Sequence, residues 1–145
     1  MPAPSIVGTW RLVTWENRTA GGRVTHPFGR DAVGYLLYSA DGHMSATVMR
    51  AGRPRFAAGD LLAGGRDERL AAVESYASYG GRYTFLGDRV IHHVAVSLFP
   101  NWVGTDQERL VDLAGDRLTL STRPLLMGGE PQTGHLVWER APSGG

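Results

Sequence analysis

The stretch RVIHHVAVSLFPNWVGTDQERLVDL, residues 89–113, is typical of two β-strands joined by a tight corner. Apolar and polar residues alternate along much of both halves, which is the period of a strand rather than of a helix. The segment PNWVGT between the halves supplies the corner. Two histidines, a glutamine and an arginine lie within these strands, so the first question is which of them face an interior.

Strand alternation assigns these polar groups to faces. In the first strand, the register that contains His92 is the more uniformly apolar one, so we predict that His92 faces inward and His93 outward unless a bulge exchanges them. In the second strand, Asp106 and Glu108 mark the solvent face. Gln107 and Arg109 are therefore predicted to face the interior.

The same reading extends to the rest of the chain, where short strand patterns are separated by turn signals. One such signal is the pair Asp41-Gly42, which is typical of a hairpin. The eight predicted strands span residues 6–17, 32–39, 43–50, 82–86, 89–99, 105–113, 117–123 and 134–140.

One segment, residues 66–79, has helical spacing instead, with apolar residues at Leu70, Val73, Tyr76 and Ala77. Acidic residues in its first turn suit the positive end of a helix dipole. Gly80-Gly81 is predicted to end the helix as its C-terminal cap. We expect this helix between the third and fourth strands, near the mouth of the folded sheet.

Composition excludes several kinds of chemistry. The chain has 145 residues, which suits one domain, and its net charge of +1 does not favour a nucleic-acid partner. All 15 basic residues are arginine and cysteine is absent, so Schiff-base lysine, thiolate and disulfide chemistry are excluded. Neither a signal peptide nor a membrane span is evident, and we expect a cytoplasmic protein without a membrane partner.

Eight strands joined mostly by hairpins can close on themselves and so remove their free edges. We predict an all-β fold, an eight-stranded antiparallel barrel formed by one domain over residues 1–145. An open sandwich is the alternative. The barrel is favoured because the first and last strands are both long enough to pair, and a barrel of this size can hold one small ligand.

Several motifs resemble the bacterial and fungal lipocalin-like domain family. They are GTWRLVTWE, HPFGRDAVGYLLYSADGHMS, RPRF, HHVAVSLFPNWVGTDQ, GDRLTLST and LVWER, and they cover about residues 6–140. The resemblance implies a calycin-type barrel with a small-molecule cavity, without specifying a reaction. It also implies that Trp10 packs at the closed end against a late arginine, either Arg140 or Arg123.

The candidate site follows from the inward faces. His92, Gln107 and Arg109 would form one wall, with His92 as a general acid or base and Arg109 stabilising an enolate or carboxylate that Gln107 orients. A buried arginine needs a partner, which is either Glu16 or a ligand anion. The further ligand-binding candidates are Tyr35, Tyr38, Tyr83, Val94, Val96 and Trp102.

Two classes of function stay open at this point. The first is binding of a small hydrophobic molecule, with or without cofactor-free isomerase or cyclase activity on a natural-product-like substrate. The second is a structural or interaction domain, in which these polar groups are satisfied core or rim residues. No metal site is predicted, because adjacent histidines on a strand point to opposite faces. No cofactor is predicted either, because neither a GxGxxG nor a P-loop pattern occurs. The sequence leaves a homodimer open.

Overall fold

The computed structural model describes residues 5–142, and eight of their strands form a closed antiparallel barrel. The strands are β1 (Gly8–Thr19), β2 (Val24–Thr25), β3 (Val33–Tyr38), β4 (His43–Met49), β5 (Tyr76–Phe85), β6 (Arg89–Ser97), β7 (Asp106–Ala114), β8 (Arg117–Thr122), β9 (Leu125–Met127) and β10 (Glu130–Arg140). One helix, α1 (Arg66–Glu74), lies between β4 and β5, and a 3₁₀ turn (Pro100–Trp102) joins β6 to β7.

The barrel closes between its first and last strands. β1 pairs with both β3 and β10, and the β1–β10 register runs from Trp10 opposite Arg140 to Thr19 opposite Gln132. The two short strands stay outside the ring of eight, since β2 pairs with β1 and β9 with β10. The predicted eight-stranded barrel, with its helix between the third and fourth long strands, is therefore confirmed.

The predicted end of the helix and start of the next strand are both wrong, and one cause explains the two errors. The helix ends at Glu74 rather than at residue 79, and β5 begins at Tyr76 rather than at residue 82. From Tyr76 to Arg82, β5 pairs continuously with β4. These cross-strand bonds outweigh a helical preference that local spacing alone suggested, because propensity is weak beside tertiary pairing. β10 likewise begins earlier than predicted, at Glu130.

Gly80-Gly81 is not a helix cap but the site of a bulge between β5 and β6. The register passes from Gly80 opposite Val96 to Gly81 opposite Val94, which leaves Ala95 as the extra residue. A Cβ on Gly81 would collide with the backbone carbonyl oxygen of His93. Glycine is therefore required by the close approach of two backbones, and alternation along β6 reverses after Ala95.

A second bulge reverses alternation in β1. The β1–β10 register shifts between Leu12 and Thr14, so Leu12 and Asn17 both face the interior although they are an odd number of residues apart. Glu16 consequently points outward, where its carboxylate pairs with Arg18 at 2.5 Å. That pair holds the pKa of Glu16 below its usual range.

The barrel interior is filled with side chains around Trp10, and we call this region the filled end. Trp10 is fully buried, its Nε1 donates to the Ile6 carbonyl at 2.8 Å, and the Arg140 guanidinium lies 4.3 Å from its ring centroid. Of the two arginines considered, Arg140 is thus the partner of Trp10. Arg123 instead bonds Glu108 at 2.7 Å. The filled end comprises Ile6, Trp10, Leu12, Met44, Val90 and Leu118.

The helix is held at both ends by polar contacts and buries none of its side chains. The Glu68 carboxylate accepts from the backbone N–H groups of Gly65 at 3.0 Å and Ala57 at 2.9 Å, which lowers its pKa. At the other end, Arg53 donates to the Ala72 carbonyl at 3.0 Å. Within residues 5–142, no helix combines the length and the hydropathy of a membrane span.

Candidate ligand-binding cavity

The half of the barrel opposite the filled end encloses a cavity of about 790 Å³. Its volume lies within the range of about 300–1,000 Å³ that is typical of small-molecule sites. Exposed apolar residues mark its mouth, among them Val73 of α1, Leu98, Phe99 and Leu126. Its deeper wall is mainly apolar and includes Leu36, Ala46, Val48, Leu120 and Leu136.

Three of the predicted site residues lie in this wall. His92 on β6 is 1% exposed and Arg109 on β7 is 6% exposed, and both line the cavity. Trp102, from the 3₁₀ turn, lines it as well. Alternation predicted the two inward orientations because neither strand has a register shift between Val90–His93 and Asp106–Arg109.

Four other candidates face inward without lining the cavity. Gln107 lies opposite His92 and donates to Thr105 Oγ1 at 3.0 Å. Val94 is buried. The Tyr38 hydroxyl contacts His92 Nε2. Tyr83 packs edge-on against Tyr38, and the Tyr83 hydroxyl donates to the Ser39 carbonyl at 2.8 Å. These residues support the wall rather than contact its free space.

The remaining two candidates are wrong as cavity residues, because their side chains point outward. Tyr35 is 54% exposed; it lies three residues before Tyr38, so an unbent strand directs the two side chains to opposite faces. Val96 is 66% exposed, since the extra residue at Ala95 reverses alternation beyond that point.

A chain of hydrogen bonds leads from the core to the cavity through His92. The Tyr38 hydroxyl lies 2.6 Å from His92 Nε2, and the Tyr79 hydroxyl lies 2.7 Å from His92 Nδ1. Burial, with smaller contributions from Arg109 and His93, lowers the pKa of His92 to about 3. Burial also raises the pKa of Tyr38 well above its usual value. His92 is therefore a neutral imidazole near pH 7, both of whose nitrogens are engaged.

Tyr79 is a cavity residue that the sequence analysis missed. It was assigned to the helix, but it lies on β5 opposite Ser97 and lines the cavity. Its ring packs edge-on against Trp102, with centroids 5.3 Å apart. Only the partner strand reveals its orientation, because the preceding residues carry a helical pattern.

Arg109 contacts a backbone carbonyl and an aromatic ring. Its Nη1 donates to the Glu108 carbonyl at 3.0 Å, and its guanidinium lies 5.6 Å from the centroid of the Trp102 ring. No carboxylate in residues 5–142 forms an ion pair with it. Glu16, one of the two predicted partners, points outward. The site therefore contains a buried guanidinium whose charge the described protein groups do not balance.

A second polar group lines another part of the cavity and was also not predicted. Asn17 is 1% exposed; its Oδ1 accepts from Trp15 Nε1 at 2.8 Å, and its Nδ2 donates to Gln132 Oε1 at 3.2 Å. These bonds satisfy the amide. By contrast, the indole nitrogen of the buried Trp138, a residue of the same wall, has no hydrogen-bond partner among the described groups.

The neighbouring histidines His92 and His93 point to opposite faces of β6. His93 points outward, with Nδ1 2.8 Å from Asp106 Oδ1 and Nε2 2.9 Å from Thr84 Oγ1. His92 contacts two tyrosines. In the part of the chain that the structure describes, no three His, Asp or Glu side chains form a group that could hold a metal ion.

Comparison with known sequences identifies the family of this barrel. The sequence profile described as lipocalin-like domain matches residues 7–141. The chain belongs to the lipocalin-like domain family. A curated relative is the 4'-hydroxy-3'-methoxypropiophenone carrier protein ppsC of Aspergillus oryzae, which is 42% identical over 108 residues, or 68% of this chain and 97% of the relative.

Solved structures resemble the chain more distantly. The lipoprotein YedD from Klebsiella pneumoniae subsp. pneumoniae has a TM-score of 0.43 at 10% identity, over 98% of this chain and 77% of YedD. A mutant of the fluorescent protein UnaG has a TM-score of 0.40 at 12% identity, over 95% of this chain and 97% of UnaG.

Proposed function

We propose that this protein binds a small, mostly apolar molecule in its barrel cavity and releases it unchanged, as a carrier. The observation that carries the proposal is the cavity of about 790 Å³, which has an apolar wall and a single buried guanidinium. Apolar walls supply affinity by removing surface from water, while a few polar groups orient the ligand.

The proposed ligand class is an aromatic molecule that bears oxygen. Aromatic side chains line the cavity at Trp15, Phe28, Tyr79 and Trp102, which favours edge-to-face packing with a ring. The relative ppsC is named as the carrier of an aryl ketone with hydroxy and methoxy substituents. The chain matches 97% of the length of ppsC, which supports a ligand of similar chemistry.

Cofactor-free isomerase or cyclase activity is the alternative, and the unbalanced charge of Arg109 is the observation that favours it. Arg109 would stabilise an enolate, with Gln107 supporting that wall from beside Thr105. The general acid–base role first considered for His92 is less well supported, because both of its nitrogens are bonded and its pKa is about 3. Proton transfer would then involve Tyr79 rather than His92.

A cavity-filling substitution tests the binding proposal. Ala77 faces inward opposite Val48 and lines the cavity, so Ala77→Phe should reduce the affinity for 4'-hydroxy-3'-methoxypropiophenone at least tenfold, measured by quenching of tryptophan fluorescence. Ala114→Phe, at an exposed position on β7, is the matched control and should bind as the wild type does. Equal affinity in all three proteins would place the ligand outside the cavity and overturn the proposal.

Recovery of the ligand distinguishes a carrier from an enzyme. After incubation in D₂O, a carrier returns the ketone with its α-hydrogens exchanged no faster than in buffer. An enzyme that stabilises the enolate would accelerate this exchange, and Arg109→Met would abolish the acceleration. Mass spectrometry of the recovered ketone measures the exchange directly.

A further inference from the structure

We propose that the cavity binds its ligand as an oxyanion, the deprotonated form of a phenol, an enol or a carboxylic acid, with Arg109 as the counter-charge and the Tyr79 hydroxyl as a hydrogen-bond donor. This inference rests on the proposed function and specifies the chemistry of its ligand. It follows from the proton positions along the tyrosine–histidine chain and from the charges that surround the cavity.

The hydroxyl of Tyr38 determines in which direction the hydrogen bonds from Tyr38 through His92 to Tyr79 run. Tyr38 is 2% exposed, and among the described groups its hydroxyl has one hydrogen-bond partner, His92 Nε2. If Nε2 carried the imidazole proton, the Tyr38 proton would be buried without an acceptor, which is costly. Tyr38 therefore donates to Nε2.

The proton of the neutral imidazole must then be on Nδ1. Nδ1–H donates to the Tyr79 oxygen, 2.7 Å away. The Tyr79 hydroxyl proton cannot return to the same nitrogen, and it has no other acceptor among residues 5–142. Since Tyr79 lines the cavity, this O–H is available to an acceptor atom of the ligand. Tyr38 and His92 thus act as positioning residues that make Tyr79 a donor.

The charges around the cavity favour an anion in the same region. The titratable or charged residues that line it are Tyr76, Tyr79, His92 and Arg109, and none of the described lining residues is acidic. Arg53 adds a second positive charge 5.3 Å from the centroid of the Tyr76 ring. His92 is neutral, so the lining carries the net positive charge of Arg109.

Arg109 and Tyr79 belong to one cluster. The Trp102 ring contacts both of them, with its centroid 5.6 Å from the Arg109 guanidinium and 5.3 Å from the Tyr79 centroid. A guanidinium and a hydroxyl donor together match an oxygen that carries charge, because charge-assisted hydrogen bonds are the stronger ones. A ligand oxyanion also compensates the buried charge of Arg109, which a neutral ligand leaves unbalanced.

Two probes of nearly equal shape test the proposal. The phenol 4-nitrophenol ionises near neutral pH and its anion absorbs visible light, whereas 4-nitroanisole cannot ionise. We expect the apparent pKa of bound 4-nitrophenol to lie at least one unit below that of the free probe, which means that the anion binds at least tenfold more tightly than the neutral phenol. We also expect 4-nitroanisole to bind with an affinity close to that of the neutral phenol.

Variants identify which residues lower the apparent pKa of bound 4-nitrophenol. Arg109→Met should remove it while 4-nitroanisole still binds, and Arg109→Lys, which keeps the charge, should retain part of it. Tyr79→Phe should reduce the shift, because it removes the donor hydroxyl. Arg117→Met is the matched control, since Arg117 is exposed on β8, and it should leave the shift unchanged.

The possible failures are distinguishable. An unchanged or raised pKa of bound 4-nitrophenol, with both probes binding, would overturn the oxyanion proposal and leave the carrier proposal standing. A shift that persists in Arg109→Met would overturn the assignment of the counter-charge. If neither probe nor the aryl ketone binds at any pH, both proposals fail.

Discussion

Tyr79 on β5 and His92 on β6 are joined by a hydrogen bond of 2.7 Å between the tyrosine hydroxyl and Nδ1. A second bond of 2.6 Å continues from His92 Nε2 to the Tyr38 hydroxyl. These two hydrogen bonds therefore connect Tyr38, a core residue on β3, with the lining of the cavity. As a result, His92 is buried as a neutral imidazole, and the protons of these hydrogen bonds have one favoured arrangement.

The arrangement of those protons can be observed directly. The ¹⁵N chemical shifts of the His92 ring should show a neutral imidazole protonated at Nδ1, unchanged from pH 7 to pH 5, since its pKa is lowered to about 3. An imidazole protonated at Nε2, or charged at pH 5, would contradict the assigned direction of the chain.

Stability should fall as the pH falls, and His92 accounts for part of the loss. Its pKa is about 3 in the folded protein and near 6.5 when unfolded, so below pH 6.5 the unfolded chain binds a proton that the folded protein does not. The contribution is complete above pH 6.5 and is lost towards pH 3. Between pH 7 and pH 5 the loss is about 2 kcal/mol.

Urea denaturation at several pH values checks that contribution. His92→Gln should be less stable than the wild type at pH 7, because it breaks two buried hydrogen bonds, but the difference should narrow by about 2 kcal/mol at pH 5. Arg117→Met, at an exposed position on β8, should follow the wild-type curve. Parallel curves for the wild type and His92→Gln would show that His92 titrates normally.

Removal of the buried charge should stabilise the empty protein. Arg109→Met replaces an arginine that is 6% exposed and has no acidic partner among residues 5–142. We therefore expect the free energy of unfolding to rise by about 1 kcal/mol while anion binding is lost. The exposed substitution Arg117→Met should change it by about 0.5 kcal/mol or less. Destabilisation by Arg109→Met would mean that the contacts with Glu108 and Trp102 outweigh the cost of burying the charge.

The bulge at Gly81 should tolerate no side chain. Gly81→Ala places a Cβ against the His93 carbonyl, and we expect destabilisation of about 2 kcal/mol or more by chemical denaturation, because backbone rather than a flexible side chain must move. Gly59→Ala is the control, since nothing lies within 4 Å of its added Cβ. Similar stability of the two variants would show that β5 and β6 can separate at low cost.

The sequence alone predicted two inward orientations that the structure shows, and its errors have specific causes. His92 and Arg109 were placed inward because alternation is unbroken along that part of β6 and β7. Val96 was misplaced because the bulge at Ala95 lies between it and His92. Tyr79 was missed because residues 66–79 have helical spacing, whereas the chain turns into a strand at Tyr76 to pair with β4.

Local periodicity and turn chemistry were therefore sufficient to predict the eight long strands, to favour a closed barrel over a sandwich and to assign the inward face of an unbroken strand. They are properties of neighbouring residues, which the sequence displays directly. The tertiary structure alone decided where alternation reverses, where the helix ends and which polar groups meet around the cavity. Those features depend on backbones that approach from distant parts of the chain, and their pairing energy overrides the local pattern.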